Sequence, residues 1–198
     1  MSLKSILAYP FAYFVKLSND RWIKNPLKFQ KKTFHKLIEK AKKTTFGIDH
    51  GFENIKTYED WKKNVPIRDY EGLKEYVDLV VDGKKDVLWP GKPQYFCKTS
   101  GTTSGTKYIP LTKEALPFHI KAARDAILSF IYETKKTAVV NGKMIFLQGS
   151  PELENINGVL TGRLSGITAH HIPKYLQKNR LPSFTTNCIE EKSFFHLQ

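Results

Sequence analysis

The chain has 198 residues, 40% of them hydrophobic and 13% aromatic, which excludes a disordered tract and suffices for one domain of ordinary size with a packed core. Lysine and arginine number 32 against 19 acidic residues, a net charge of +13, and residues 1–48 alone hold eleven Lys and Arg against Asp20 and Glu39; this balance admits a nucleic acid or an anionic surface as partner, and equally a solvated basic helical face. Two cysteines, Cys97 and Cys188, exclude a disulfide framework and, with no secretion signal, read as reduced thiols of a cytoplasmic protein.

Taken in order, the first apolar run, Ile6–Val15, has roughly the length of a signal-peptide core. Pro10 interrupts it, Lys16 closes it, no small-residue cleavage site follows, and it is too short to span a bilayer. It reads as a helical segment over residues 3–17 that packs on the body, with membrane-surface contact as the alternative. No other stretch is a transmembrane candidate. Asn25-Pro26 marks a helix start, a capping residue followed by proline at the first helical position. Leu27, Phe34, Leu37, Ile38 and Ala41 then share one face, with lysines opposite, up to about Lys43. Thr57-Tyr58-Glu59-Asp60 opens a short helix in the manner of a capping box, and Val65-Pro66-Ile67 breaks it. Asp69 can cap the next helix, whose apolar face is Leu73, Tyr76, Val77 and Val80, and Asp82-Gly83 turns the chain. Val87–Pro93 is an extended, proline-punctuated approach to a strand at Gln94–Lys98.

A second strand, Tyr108–Leu111, follows after a loop. Thr112 can cap a helix reaching about Glu133, with Leu116, Ile120, Ala123, Ile127, Phe130 and Ile131 as its stripe; Pro117 makes the helix start or bend there. Asn141-Gly142 is a turn. Met144–Gln148 is a continuous apolar run, as expected of a strand buried on both faces, and Gly149-Ser150-Pro151 ends it. Residues 158–166 form a second glycine-rich stretch. Helices and strands alternate without repeats or linkers, which points to a mixed α/β fold.

The connection between the two central strands, Thr99-Ser100-Gly101-Thr102-Thr103-Ser104-Gly105-Thr106-Lys107, is built of hydroxyls and glycines and ends in a cation. A polyphosphate needs many donors and positive charge at close range. Glycine lets backbone amides approach, successive amides in a turn form an anion-binding concavity, and hydroxyls and an ammonium add donors. It is not a Walker A loop: three residues separate Gly101 from Gly105, Thr106 precedes the lysine and Tyr108 follows it. The same composition suits an exposed hairpin tip, and the loop alone leaves both readings open.

The surroundings add a resemblance. The loop with Lys107 is similar to the phosphate-binding motif of the adenylate-forming superfamily. Thr45-Phe46-Gly47, the run Val65-Pro66-Ile67-Arg68-Asp69-Tyr70-Glu71, and Val87–Pro93 ahead of Thr99-Ser100-Gly101-Thr102-Thr103 resemble the auxin-responsive promoter family of acyl-acid-amido synthetases. Tyr108-Ile109-Pro110 and Gly162-Arg163-Leu164-Ser165-Gly166 are similar to segments that follow in that family, and the likeness runs from about residue 5 to about Glu190.

The resemblance implies the N-terminal part of an adenylation domain, with helices packed on a partly parallel sheet. It implies ATP and Mg²⁺ as cofactors, and a small carboxylic acid and an amino acid as substrates of a ligase. The acid would attack the α-phosphate of ATP to give an acyl-adenylate and pyrophosphate; the amine would then displace AMP. Thr99, Ser100, Thr102, Thr103 and the amides of Gly101, Ser104 and Gly105 would hold the phosphates, with Lys107 near the leaving group. Arg124, on the following helix, is a weaker candidate for the acid's carboxylate, with a surface arginine as the plainer reading. His170-His171 is read as strand, its side chains on opposite faces, so no metal site is expected. His119 and Cys97 are read as core or rim residues. Family members are much longer, so residues 1–198 are expected to be one incomplete domain: 1–93 mainly helical, 94–190 carrying the loop with its strands and helix, and 191–198 a tail outside the pattern. Such a portion would keep the loop, fail to turn over alone and self-associate through exposed core. The alternatives are a basic nucleic-acid-binding protein using residues 1–48, or a membrane-surface protein using residues 3–17.

Overall fold

The computed structural model describes residues 2–99, 105–146 and 148–189. Its helices are α1 (Leu3–Ile23), α2 (Pro26–Ala41), α3 (Thr45–Asp49), α4 (Tyr58–Asn64), α5 (Lys74–Val81), α6 (Leu116–Thr134), α7 (Leu164–Ala169), α8 (Lys174–Gln177) and α9 (Phe184–Asn187). Its strands are β1 (Tyr95–Lys98), β2 (Tyr108–Leu111), β3 (Met144–Ile145), β4 (Glu154–Ile156), β5 (Val159–Gly162) and β6 (Arg180–Leu181). The mixed α/β class read from the sequence is the class adopted. The chain resolves into two compact units: Arg21–Lys113 with Asn155–Leu160, and Met1–Asp20 with Glu114–Glu154 and Thr161–Gln198.

The first of these holds the loop. Its four-stranded sheet runs in the order β2-β1-β5-β4, with β1 and β2 antiparallel and Tyr95 opposite Leu111, Lys98 opposite Tyr108. Val80 of α5, Val87, Phe96 of β1 and Val159 of β5 form one core, and Phe96 is fully buried. A second core joins Ile38 and Ala41 of α2 to Phe52 and Ile55, with Phe46, Trp61 and Trp89 against it. The approach to it is fixed by a close contact. Thr44 caps α3, its hydroxyl accepting from the Gly47 amide at 3.0 Å and donating to the Ala41 carbonyl at 2.7 Å. A Cβ on Gly47 would lie 2.1 Å from that carbonyl oxygen, so only glycine fits. The capping box at α4 forms as read: the Asp60 amide donates to the Thr57 hydroxyl at 3.1 Å and the Thr57 amide to the Asp60 carboxylate at 2.8 Å.

Two expectations in this unit change. The C-terminal part of the α2 stripe is covered, with Ile38 and Ala41 buried and Phe34 packed against them and edge-on to Trp61, while Leu27 is 79% exposed and Leu37 half-exposed. Val87–Pro93 is a closed turn instead of an extended approach. Asp86 takes φ +57°, its amide donates to the Gly91 carbonyl at 3.1 Å, and its carboxylate accepts from the Gly91 amide at 2.7 Å.

In the other unit, α1 and α6 pack through Ala8, Ala12 and Val15 against Leu128 and Ile131. The small residues of α1 let the helices approach closely, and that contact selects the face of α6. The buried residues of α6 are Leu116, Leu128 and Ile131, while Ile127 and Phe130 of the expected stripe are exposed, and the helix starts at Leu116. The 144–148 run is not a strand buried on both faces. β3 has two residues, pairs in parallel with β6, and leaves Ile145 73% exposed. The glycine-rich stretch is a packing device: a Cβ on Gly166 would meet the Ser150 carbonyl oxygen at 2.2 Å.

Candidate functional site

The candidate loop joins the two strands of a hairpin. The ladder continues one step beyond the strands, where the Thr99 amide donates to the Lys107 carbonyl at 3.1 Å. That bond brings Thr99 and Lys107, the two residues that bound the loop, together. Ser100, Gly101, Thr102, Thr103 and Ser104 lie outside the described residues. Of the remaining site residues, Thr99 and Gly105 are exposed. Gly105 has φ +81° with no atom within 4 Å of an added Cβ. Glycine is required there by backbone conformation and not by space.

Lys107 starts the return strand. Its side chain keeps 29% of its surface exposed, with Nζ 3.7 Å from a Glu71 carboxylate oxygen and 5.0 Å from the centre of the Tyr70 ring. These two contacts hold the cation at the loop's mouth without burying it. Tyr70 also braces the backbone there. Its hydroxyl accepts from the Tyr108 amide at 3.0 Å and reaches the Tyr108 carbonyl at 3.5 Å. β2 is the edge of its sheet, so the amide of Tyr108 has no neighbouring strand to pair with. Two residues on, Pro110 has no amide to offer. Tyr70 and Pro110 thus close most of an edge that would otherwise stay open.

Tyr70 and Glu71 belong to the run 65–71 that carries the resemblance, and the structure brings that run to the loop. The Asp69 carboxylate accepts from the Gly72 amide at 2.9 Å, starting a 3₁₀ turn over Glu71–Leu73 that feeds α5. Arg68 donates to His50 Nε2 at 2.7 Å, and His50 Nδ1 donates to the Phe46 carbonyl at 2.8 Å while its ring stacks on Phe46 at 4.0 Å. Tyr76 donates to Asp49 at 2.8 Å, and burial with that bond pushes its phenol up. The Thr45-Phe46-Gly47 segment therefore anchors the element that holds Lys107. No role for Tyr70 or Glu71 follows from the sequence, since 38 positions separate Tyr70 from Tyr108.

The other candidates sit elsewhere. Arg124, on α6 in the other unit, donates to Asp125 at 2.8 and 3.0 Å and lies 5.7 Å from the Phe11 ring. Burial raises the Asp125 carboxyl, but hydrogen bonds from Lys121 and Arg124 outweigh it and leave the group below its usual range. His170 is the C-cap of α7 and not on a strand; its Nε2 pairs with the Pro151 carbonyl at 2.6 Å. Burial, with His170 beside it, pushes His171 down. Cys97 is buried in β1, which pushes its thiol up, and His119 is exposed on α6. Among the described residues no three His, Cys, Asp or Glu side chains gather as a metal site needs, and no helix is long and apolar enough to cross a membrane.

Comparisons with known proteins extend this geometry. A family model described as the GH3 family N-terminal domain matches residues 19–197. A jasmonoyl–L-amino acid synthetase of Nicotiana attenuata, JAR6, is 25% identical over 138 residues, covering 68% of this chain and 23% of its own. The indole-3-acetic acid-amido synthetase GH3.15 of Arabidopsis thaliana is 30% identical over 104 residues, covering 44% of this chain and 18% of its own. The solved structure of a GH3.15 acyl acid amido synthetase superposes with a TM-score of 0.70 at 21% identity, over 81% of this chain and 29% of that one. The chain spans about a quarter or less of the length of the curated relatives it matches.

Proposed function

The chain belongs to the GH3 family, and from that membership we propose that it carries the triphosphate-gripping part of an ATP-dependent acyl-acid-amido synthetase. The relatives' names describe the joining of an acid to an amino acid and the conversion of an acid to its amide. Such a ligase first adenylates the acid's carboxylate, releasing pyrophosphate, and then passes the acyl group to the amine with loss of AMP. Residues 99–107 serve the first step. Charge moves onto the β- and γ-phosphates as the Pα–O bond breaks, and donors fixed beforehand at those oxygens lower that barrier.

Within the reading, Thr99, Ser100, Thr102 and Thr103 offer hydroxyls, and Gly101, Ser104 and Gly105 offer amides. Lys107 offers its charge to the leaving pyrophosphate. Mg²⁺ would come with the nucleotide and share that charge, since it is held mostly by phosphate oxygens and water with one or two carboxylates; Glu71 is the carboxylate at the mouth. Arg124 is the weaker candidate for the acid's carboxylate, in competition with Asp125. A cytoplasmic setting, where ATP and reduced thiols coexist, suits this chemistry.

The observation that supports the reading most is the state of Lys107: a partly exposed cation, held by one long carboxylate contact and one ring face, at the mouth of a glycine- and hydroxyl-rich loop. The test uses Mg²⁺ with inorganic tripolyphosphate, which needs the loop but no adenine pocket. Titration calorimetry on the 198-residue chain should show saturable binding that Lys107→Ala weakens about tenfold, about the 1.4 kcal/mol of one charge-assisted contact. Lys31→Ala with Lys36→Ala, on the exposed face of α2, should leave it unchanged. The reverse pattern would overturn the proposal in favour of a general anionic partner such as nucleic acid. The chain by itself should give no carboxylic-acid-dependent pyrophosphate exchange.

A further inference from the structure

Every residue from 21 to 33 is exposed. The stretch takes in the end of α1, the Asn25-Pro26 step and the start of α2, and it lies wholly within the unit that begins at Arg21. The corner is closed by its own backbone: the Asn25 amide donates to the Trp22 carbonyl and the Phe29 amide to the Asn25 carbonyl, each at 3.2 Å. Four large apolar side chains are exposed on it, Trp22 at 49%, Ile23 at 56%, Leu27 at 79% and Phe29 at 40%. Among them stand Arg21, Lys24, Lys28, Lys31 and Lys32, with no acidic residue between Asp20 and Glu39. Those two flanking carboxylates are already bonded, Asp20 to Lys16 and Glu39 to Lys42.

A single exposed apolar side chain needs no explanation, but a group of them marks an interaction surface. The unbroken positive charge says that its partner is anionic. A phosphate backbone alone would satisfy the lysines and leave Ile23 and Leu27 in water. An apolar groove would do the opposite. The surface of a bilayer offers both environments a few ångströms apart: anionic headgroups for the cations, and beneath them the acyl boundary for aliphatic and aromatic side chains. Tryptophan favours that boundary, and lysine stems reach from it back to the headgroups. Leu27 and Lys31 lie one turn apart on one face of α2, so apolar group and cation stand side by side. The exposed apolar residues of α1 between Leu3 and Leu17 lack this pairing. Only Lys4 and Lys16 fall among them, and Lys16 is bonded to Asp20.

We propose that the corner at residues 21–32 docks on a membrane surface that carries anionic lipid. Trp22, Ile23 and Leu27 enter the acyl boundary, and Lys24, Lys28 and Lys31 meet the headgroups. The surface is separate from the loop at residues 99–107 and does not depend on its function.

The experiment is vesicle flotation of the 198-residue chain, which separates bound protein from self-associated protein. Vesicles of phosphatidylcholine mixed with phosphatidylserine should carry the chain upward, vesicles of phosphatidylcholine alone should not, and added salt should weaken the binding. Lys24→Gln/Lys28→Gln should lower the affinity about fivefold for each charge removed. Ile23→Ser/Leu27→Ser, with every charge kept, should lower it about tenfold. Leu7→Ser/Phe14→Ser, on the exposed side of α1, should bind as the parent does. Bromine on the acyl chains should quench the fluorescence of the parent and not that of Trp22→Phe, since Trp61 and Trp89 pack on the core around Ile38. A parent that stays down with the phosphatidylserine vesicles would overturn the proposal and leave the corner to a protein partner. Binding that the glutamine variant loses and the serine variant at 23 and 27 keeps would overturn it in favour of a general anionic partner such as nucleic acid. Binding lost in Leu7→Ser/Phe14→Ser would overturn it by moving the contact to α1.

Discussion

Tyr70→Phe separates the two tasks assigned to Tyr70. The substitution removes the hydroxyl that accepts from the Tyr108 amide at 3.0 Å and keeps the ring 5.0 Å from Lys107 Nζ. A buried amide left without a partner costs about 1–3 kcal/mol. Tyr108 is only half-buried, so water recovers part of that and the loss should be about 1 kcal/mol, roughly a fivefold fall in the folding equilibrium. All three tryptophans, Trp22, Trp61 and Trp89, lie in the unit that contains Tyr70, so urea unfolding followed by tryptophan fluorescence reports on that unit. Tripolyphosphate affinity should stay within about twofold, because the ring face under Lys107 remains. Tyr70→Leu removes the face as well. A cation over an exposed ring is worth about 0.5–1 kcal/mol, so this variant should also bind tripolyphosphate about two- to fivefold more weakly. If Tyr70→Phe unfolds at the parent's urea midpoint, the hydroxyl does not brace the edge strand. If Tyr70→Leu binds as tightly as the parent, the ring does not position Lys107.

Gly47→Ala should destabilise the same unit by about 1–3 kcal/mol or more, since its Cβ would stand 2.1 Å from a backbone oxygen that cannot swing away; Gly105→Ala, with open space but a positive φ, should cost less than that in the same urea titration. The Asp60 carboxyl is held below its usual range by the Thr57 hydroxyl and the Lys56 and Thr57 amides. A group depressed in the folded state adds stability above its unfolded pKa and loses it as pH falls through the folded one; Asp60→Asn should therefore flatten the stability profile below about pH 4, and equal slopes for parent and variant would contradict this. Burial that raises the Cys97 thiol predicts slow alkylation, so iodoacetamide should label the half-buried Cys188 first, as read by peptide mass. Exposed apolar residues on α1 and α6, among them Phe14, Phe118 and Phe130, predict concentration-dependent association in sedimentation velocity, and a monodisperse monomer would count against it.

The features legible in the sequence are those that a few neighbouring residues decide. Thr57 with Asp60 starts α4 because a cap is made within one turn, and Pro26 starts α2 from the first helical position, without a side-chain cap from Asn25. The strands on either side of the loop were legible because each is a short apolar run bounded by turn residues. Which side of a helix is covered was not. α6 has apolar residues nearly all the way round, including Phe118, Ile127, Leu128, Phe130 and Ile131, and periodicity cannot choose among them. The choice is made by Ala8 and Ala12 of α1, more than a hundred positions away, whose small side chains admit Leu128 and Ile131. The apolar run at 144–148 misled for a related reason. Composition states that a segment prefers burial, but the covering layer has to come from other segments, and Ile145 has none among the described residues.

The loop's own residues admit two readings: a phosphate cradle or an exposed hairpin tip. The fold shows that these are not rival geometries, because residues 99–107 do connect two antiparallel strands. An ordinary tip needs only a turn that closes its ladder. This one has, in addition, an edge strand capped by the hydroxyl of Tyr70, a cation held between that residue's ring and the carboxylate of Glu71, and a prop that reaches through Arg68 and His50 to the tightly packed Gly47 turn. Ordering these groups has an entropic cost that a bare turn would not incur, and it leaves Lys107 partly exposed in place of a well-paired salt bridge. Such a bracing is useful where the cation must meet a charge that arrives from outside, which is why the functional case rests more on residues 46–72 than on the glycines and hydroxyls of the loop.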